Sequence, residues 1–425
     1  MVSARQNELL TRVEHGAPMG RFMRDCHWIP CALSASLVAD GPPQLVRLLG
    51  ESYVAFRATD GRVGLLDEAC PHRRVSLLLA RNEDCGLRCI FHAWKIDVSG
   101  KVVDVPAEGE RSADFASRIK VNHYPTFEGG GLLWVFLGAG APPPRPPLPF
   151  IDIADENIFI TRSIAPCNWL QGVEGTIDSV HVGTLHKSWI AQPSMAQGTI
   201  GHSLASHPRY EVETTDYGLR ASALRDLPDG RQYIRTTEYL MPFVSLVPST
   251  CGSREGTMFI AVPMDDVSHM LFWGLWDEDN PVERSPTRLC AEERDLNNYA
   301  MLNGNQSNVW RQDRAAMERG HFTGFDKCLL DEDMVVQASM GAIADRTKEQ
   351  LCASDIGVMR TRARLLDAIS AFEEGTFAHS PARMVRPLDL VTDAEIDWRE
   401  LAGTNEEPAA AAPVQALAES GSRCD

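Results

Sequence analysis

Two short segments, Cys70-Pro71-His72 and Cys89-Ile90-Phe91-His92, set two thiols and two imidazoles in the pattern C-x-H, sixteen residues, C-x-x-H. Thiolates suit iron in a sulfide cluster. Exchanging two of four cysteines for histidines on one iron gives the Rieske [2Fe-2S] centre, whose potential lies above that of an all-cysteine ferredoxin. A structural zinc draws on the same residue types. Zinc loops commonly pair Cys with Cys and His with His, whereas each loop here carries one of each, as a cluster with one Cys-bound and one His-bound iron requires. The chemistry expected of these four residues is therefore the transfer of single electrons.

A second constellation lies downstream. His181 and His186 fall in the stretch Asn168 to His186, and on an unbroken helix five residues turn through about 500 degrees, so the rings would diverge. Gly183 and β-branched Thr184 loosen a helix there and let His186 turn back toward His181. Two imidazoles and one carboxylate on one face of a metal, with other positions open, is the arrangement of non-heme Fe(II) oxygenases. The carboxylate candidates are Asp326, Asp331, Glu332, Asp333, Asp345 and Asp355. Asp333 precedes the apolar Met334, Val335 and Val336, which favours an inward carboxylate. Asp331 and Glu332 fit equally well as helix-start acids favoured by the dipole, and Asp345 is expected to pair with Arg346. Asp178, three residues before His181, shares its helical face and can fix that ring's orientation through a hydrogen bond.

These residues need a scaffold. Leu45 to Leu49, Tyr53 to Thr59 and Arg62 to Leu66 read as strands, with Asp60-Gly61 as a hairpin turn. Lys95 to Val98 and Lys101 to Val105 read as a second hairpin about Ser99-Gly100. The first motif thus sits on a small antiparallel β domain over residues 41–150, after a helical lead-in over residues 1–40. Proline-rich Gly138 to Pro149 reads as a stiff connector. Beyond it, residues 151–404 read as a helix from Asn168 to Leu185, strands over Arg209–Leu224, Gln232–Val247 and Thr257–Trp276, then helices over Val335–Ile343 and Met359–Phe372. The fold class expected is α+β, and residues 405–425 read as a disordered tail.

At 425 residues the chain is too long for an electron carrier alone. A net charge of −17 without a basic run argues against nucleic acid. No apolar stretch approaches the roughly 18 residues of a membrane span, and the N-terminus is too polar for a signal peptide, so a cytoplasmic location is expected.

Together these residues strongly resemble the oxygenase (alpha) component of Rieske non-heme iron aromatic-ring oxygenases, in the phthalate dioxygenase-like group. The likeness runs through Gln6 to Val13, Trp28-Ile29-Pro30, Cys70-Pro71-His72-Arg73, His92-Ala93-Trp94-Lys95, Asn168-Trp169 to His186, Glu332 to Gln337, and Ser339-Met340-Gly341 to Asp345-Arg346. It implies a Rieske domain followed by a helix-grip catalytic domain, a [2Fe-2S] cluster, a mononuclear Fe(II) with Asp333 as its carboxylate, and a head-to-tail homotrimer. In that trimer Asp178 would bridge His181 to a neighbouring subunit's His92. Arg74 and Ala93 depart from the group by standing where glycine is common.

The resemblance further implies that a reductase, with or without a ferredoxin, passes electrons from NAD(P)H, since the chain carries no strand-borne G-x-G-x-x-G of its own. O2 and an aromatic acid are the implied substrates, and hydroxylation is the expected outcome. Oxidative O-demethylation of a methoxylated aromatic acid, releasing formaldehyde, is the nearest alternative. An electron-transfer protein without oxygenase activity is the alternative of another class, against which open coordination positions at His181, His186 and Asp333 argue. An anionic substrate calls for an arginine, and Arg209, Arg220, Arg225 and Arg235 all fall in the strand region.

Overall fold

Short apolar runs cut by Asp-Gly and Ser-Gly pairs close into antiparallel hairpins, because those turns match the strand twist. The computed structural model describes residues 2–191, 207–249, 255–284, 299–300, 304–379, 383–402 and 407–408. The expected tail, residues 405–425, lies outside them apart from 407–408. The chain forms two compact units, residues 23–145 in one and residues 1–22 with 146–409 in the other. The lead-in is α-helical in α1 (Ala4–Thr11) and α2 (Pro18–Cys26), with one 3-10 turn at Ser34–Ser36. Helix does not continue to residue 40, because Pro30 cannot donate to a helix and Ile29–Leu33 forms strand β1, buried at all five positions.

In the 23–145 unit, β2 (Gln44–Leu48), β3 (Glu51–Arg57) and β4 (Val63–Asp67) form one antiparallel sheet. The strands β5 (Arg81–Glu83), β6 (Gly86–Arg88), β7 (Lys95–Asp97) and β8 (Val102–Asp104) form a second. Strand β1 pairs with β10 (Leu132–Val135), which pairs in turn with β9 (Thr126–Gly129). Val54, Phe56, Leu66, Leu77, Leu87, Trp94 and Ile96 pack into one core beneath the first two sheets, and Cys70 and Cys89 belong to it. The loops that carry the C-x-H and C-x-x-H residues therefore have anchored stems.

The other unit is built on a nine-stranded sheet. Its strands are β11 (Ile158–Ala165), β12 (Arg209–Thr214), β13 (Gly218–Asp226), β14 (Arg231–Leu240), β15 (Val244–Pro248), β16 (Gly256–Pro263), β17 (His269–Trp276), β18 (Tyr299–Ala300) and β19 (Leu388–Asp393). Strands β12 to β17 follow in sequence order, then β11 and β18, while β19 pairs with the first half of β14. Every residue of β17 is buried, as befits a strand covered on both faces. Helix α3 (Trp169–Ile177) packs on β15 to β17, and the long α7 (Ile356–Glu373) packs on β12 and β13. Between α3 and α7 lie the short helices α4 (Val182–Leu185) and α5 (Lys187–Ile190) and the three-turn α6 (Leu329–Ser339).

Local sequence explains how α3 seats. Asn168 caps it by accepting from the Leu170 N–H at 3.1 Å, while its amide donates to the carbonyls of Thr11 and Asp266 at 2.9 and 2.8 Å. Gly172 is required by close approach, since a Cβ there would lie 2.6 Å from the His269 ring nitrogen Nε2. Glu174 on the same helix is clasped by Arg346 (Nη2 at 2.8 Å) and Arg362 (Nε at 2.7 Å), which ties α3 to α7. Arg346 thus pairs with Glu174 and not with Asp345, whose carboxylate pairs with Lys348 at 2.9 Å and caps Thr347.

Candidate metal centres

The two cysteine-histidine loops are matched turns. Cys70 donates its N–H to the Val75 carbonyl at 2.8 Å, and Arg74 donates back to the Cys70 carbonyl at 3.0 Å. The second loop repeats this with Cys89 to Trp94 at 2.9 Å and Ala93 to Cys89 at 2.9 Å. Closing each turn puts its fourth residue after the cysteine in the left-handed region, Arg74 at φ 62° and Ala93 at φ 60°. Glycine enters that region without steric cost, so the two departures noted in the sequence fall at the two strained positions. Cys70 and Cys89 are buried while His72 is exposed and His92 half-buried. The imidazole centroids lie 4.4 Å apart, and His72 stacks on Trp94 at 4.6 Å with an interplanar angle of 3°. Two inward thiols and two adjacent outer imidazoles fit a cluster whose cysteine-bound iron is buried and whose histidine-bound iron faces outward.

In the unit built on the nine-stranded sheet His181, His186 and Asp333 converge, with one donor atom from each within 4.8 Å of the others. The Asp333 oxygen Oδ1 lies 3.5 Å from His181 Nε2 and 3.3 Å from His186 Nε2. The opposite nitrogen of each ring faces another carboxylate. His186 Nδ1 meets Glu332 Oε2 at 2.6 Å, and His181 Nδ1 lies 3.5 Å from Asp178 Oδ2. Both rings thus turn Nε2 inward, and two imidazoles with one carboxylate suit a divalent first-row metal with positions left open.

The backbone reaches this geometry by a different route from the one the spacing predicts. Helix α3 ends at Ile177, and Asp178 is extended, with φ −76° and ψ 112°. Asp178 therefore meets His181 across a turn, closed by the Val180 N–H on Asp178 Oδ1 at 2.7 Å, and not along a shared helical face. Gly183 and Thr184 lie inside the short α4; the chain bends at His186 itself, which separates α4 from α5 with φ −92° and ψ 11°. The two rings finish 5.2 Å apart. Asp333 is supplied by α6, and α3 holds α6 in place. Gln171 donates to the Gln337 and Gly341 carbonyls at 2.8 and 3.0 Å and accepts from the Ala344 N–H at 3.0 Å.

Glu332 is the residue that the sequence reading underrated. It is fully buried, and beside its bond to His186 it accepts from the Thr323 hydroxyl. The available signal was its place next to Asp333, which sends the two acids to different sides of α6, each able to reach a histidine. Burial would raise the Asp333 carboxyl's pKa, but His186 and then His181 hold it below its ordinary value. Burial likewise would lower the His186 imidazolium, yet Asp333 and Glu332 outweigh it and push its pKa up to about 10.

Residues 27–125 match the Rieske [2Fe-2S] domain family, and residues 135–420 match the family described as LigXa C-terminal domain like. The phthalate 4,5-dioxygenase oxygenase subunit of Pseudomonas putida is 38% identical over 420 residues, 94% of this chain and 94% of its own. The 5,5'-dehydrodivanillate O-demethylase oxygenase subunit of Sphingobium sp. is 29% identical over 88% of this chain and 82% of its own. Among solved structures, the Pseudomonas putida CBB5 NdmA QL mutant with caffeine superposes with a TM-score of 0.57 at 18% identity, over 89% of this chain and 99% of that one.

Proposed function

We propose, since this chain belongs to the Rieske non-heme iron aromatic-ring oxygenases and within them to the phthalate dioxygenase-like group, that it is the terminal oxygenase component that hydroxylates an aromatic acid with O2. The observation that carries the reading is the convergence of His181, His186 and Asp333 in a chain that also carries a Rieske domain. Cys70, Cys89, His72 and His92 would hold the cluster, and the three convergent residues would hold the iron. When bound, the cluster supplies single electrons and the iron supplies dioxygen activation.

The remaining work falls to the protein's own groups. Glu332 and Asp178 keep the two imidazoles oriented with Nε2 inward. Asp178 also stands half-exposed beside His181, where it can accept a hydrogen bond from His92 of a neighbouring copy in a head-to-tail homotrimer. A reductase, directly or through a ferredoxin, would deliver electrons from NAD(P)H, which places the protein with the cytoplasmic pool of that reductant. Among the described residues no helix is long and apolar enough to cross a membrane.

The test is substrate-dependent O2 uptake by the reduced protein on a panel of phthalates, phenoxybenzoates and methoxylated benzoates, with products identified by mass. Ring hydroxylation is expected. Formaldehyde release without ring oxidation would assign O-demethylation, the activity named for the Sphingobium relative. A protein that is reduced and reoxidised but consumes no O2 with any aromatic would be an electron carrier. Asp178→Asn should leave cluster reduction intact and largely abolish product; equal loss of both, or of neither, counts against the bridge.

A further inference from the structure

Glu332 is buried with its two carboxylate oxygens engaged by different segments of the chain. Its Oε2 meets His186 Nδ1 at 2.6 Å, and its Oε1 accepts from the Thr323 hydroxyl. Thr323 is only 8% exposed, so water has little access to that hydroxyl. A hydroxyl has one hydrogen to give, and the surroundings decide where it goes. The Phe325 N–H donates to Thr323 Oγ1 at 3.3 Å and occupies an acceptor position. The competing acceptor, His321 Nδ1, is 3.4 Å away and already receives the Gly324 N–H at 3.1 Å. The hydrogen therefore goes to the carboxylate, where the bond is charge-assisted.

We propose that Thr323 is a positioning residue for His186, acting through Glu332, an inference that rests on the reading of His181, His186 and Asp333 as the iron site. With Oε1 satisfied by Thr323, Glu332 keeps Oε2 as the acceptor for His186. A ligating His186 then carries its one proton on Nδ1 and turns the Nε2 lone pair toward Asp333 and the metal. Without the hydroxyl, Oε1 becomes a buried acceptor with no donor, a costly state. The side chain escapes it by turning, and the ring loses the contact that fixes it.

Thr323 is itself held against the segment that bears the ligand. The Phe322 N–H donates to Ser188 Oγ of α5 at 2.8 Å, and Lys187 Nζ lies 3.7 Å from the Phe322 ring centroid. On the other side, Gln312 Nε2 donates to the Thr323 carbonyl at 2.6 Å, and the Asp313 N–H to the Gly324 carbonyl at 3.0 Å. Gly324 permits this close approach, since its φ is 78° and a Cβ there would lie 2.6 Å from the Asp313 carbonyl oxygen. A closed circuit results. From His186 the chain leads to Ser188, Ser188 holds Phe322, Thr323 holds Glu332, and Glu332 returns to His186.

The experiment uses the full-length protein with its cluster in place and its mononuclear site emptied by a chelator. Co(II) is then titrated in competition with a chromophoric chelator. Thr323→Val keeps the side chain's shape and removes the hydroxyl, and should weaken Co(II) binding about tenfold. Thr323→Ser restores the hydroxyl and should restore the affinity. In a Glu332→Gln background Thr323→Val should cost nothing further, because an effect transmitted through Glu332 disappears with it. Visible absorption of the cluster and circular dichroism report whether each variant is folded. Co(II) bound as tightly by Thr323→Val as by the unmodified protein, no rescue by Thr323→Ser, or losses that add in the double variant each overturn the proposal while the iron-site reading stands. If Thr323→Val does not fold, Thr323→Ala takes its place in the same comparisons. If neither folds, Thr323→Ser decides: unchanged Co(II) binding supports the proposal and weakened binding overturns it. An unmodified protein that binds no Co(II), or binds it equally well after Asp333→Ala, overturns the iron-site reading and the proposal together.

Discussion

Glu332 determines which nitrogen of His186 faces Asp333, because its Oε2 occupies Nδ1 at 2.6 Å in a fully buried site. A carboxylate there fixes the ring and raises the basicity of the ligating nitrogen. Glu332→Gln should therefore weaken iron binding about 10- to 100-fold, read as iron retained after dialysis against a chelator, with the cluster's visible absorption unchanged. His186 makes a second prediction. Its pKa in the metal-free protein is raised to about 10, so at neutral pH the ring is protonated and a metal must displace that proton. Metal uptake should release a proton into weakly buffered solution, and apparent affinity should fall about tenfold per unit as pH drops below that value. An affinity flat between pH 6 and 8 would show that the proton is not there. The left-handed Arg74 and Ala93 belong to the same scale: their spacing after Cys70 and Cys89 was readable in the sequence, but their φ angles follow from turns that only the folded loop displays.

Helix α3 carries none of the three candidate ligands, yet it positions the segments that do. It ends just before Asp178, it is tied to α6 through Gln171, and Glu174 joins it to Arg346 and Arg362. Removing one member of such a buried ion cluster leaves the others uncompensated. Glu174→Gln should cost about 3–5 kcal/mol of stability in the catalytic unit, measured by denaturant unfolding at pH 7. Burial would raise the Glu174 carboxyl's pKa, but Arg346 and then Arg362 hold it below its ordinary value. For a depressed carboxylate the stabilisation is present above the unfolded-state value of about 4.3 and is lost as pH falls through the folded value. The unmodified protein should therefore lose stability in acid more steeply than Glu174→Gln does. Local signals revealed much of this layer: hairpin turns about Gly61 and Gly100, and apolar runs that became β13 to β17. What they could not reveal was pairing at long range, such as β19 returning to β14 or β11 lying beside β17. The end of α3 was equally hidden, because nothing between Ile177 and His181 is a strong breaker and the turn there is closed by Asp178's own side chain.

At the scale of the whole molecule, the residues proposed to hold the cluster all come from the 23–145 unit and those proposed to hold the iron from the other, so the proposed function requires an electron to pass between the two units' sites. The route can run within one chain or between neighbouring copies, and the two make different arithmetic. In a closed ring with each cluster serving the next subunit's triad, the interface and not the chain is the catalytic unit. Consider His72→Ala, deficient in the cluster, and Asp333→Ala, deficient in the iron, each inactive alone. Kept apart, neither variant has both sites intact, but co-assembled in equal amounts about a quarter of the interfaces set an intact cluster beside an intact triad. O2 uptake should then recover to about a quarter of the value for the unmodified protein, with both variants confirmed by size and by their metal content to share the same oligomers. Transfer within a chain predicts no recovery at any mixing ratio, since no chain in the mixture holds both sites. Adding Asp178→Asn to the cluster-deficient partner, the copy that supplies the working triad, should abolish the recovery. The same substitution in the iron-deficient partner should leave it unchanged, because that copy contributes only its cluster.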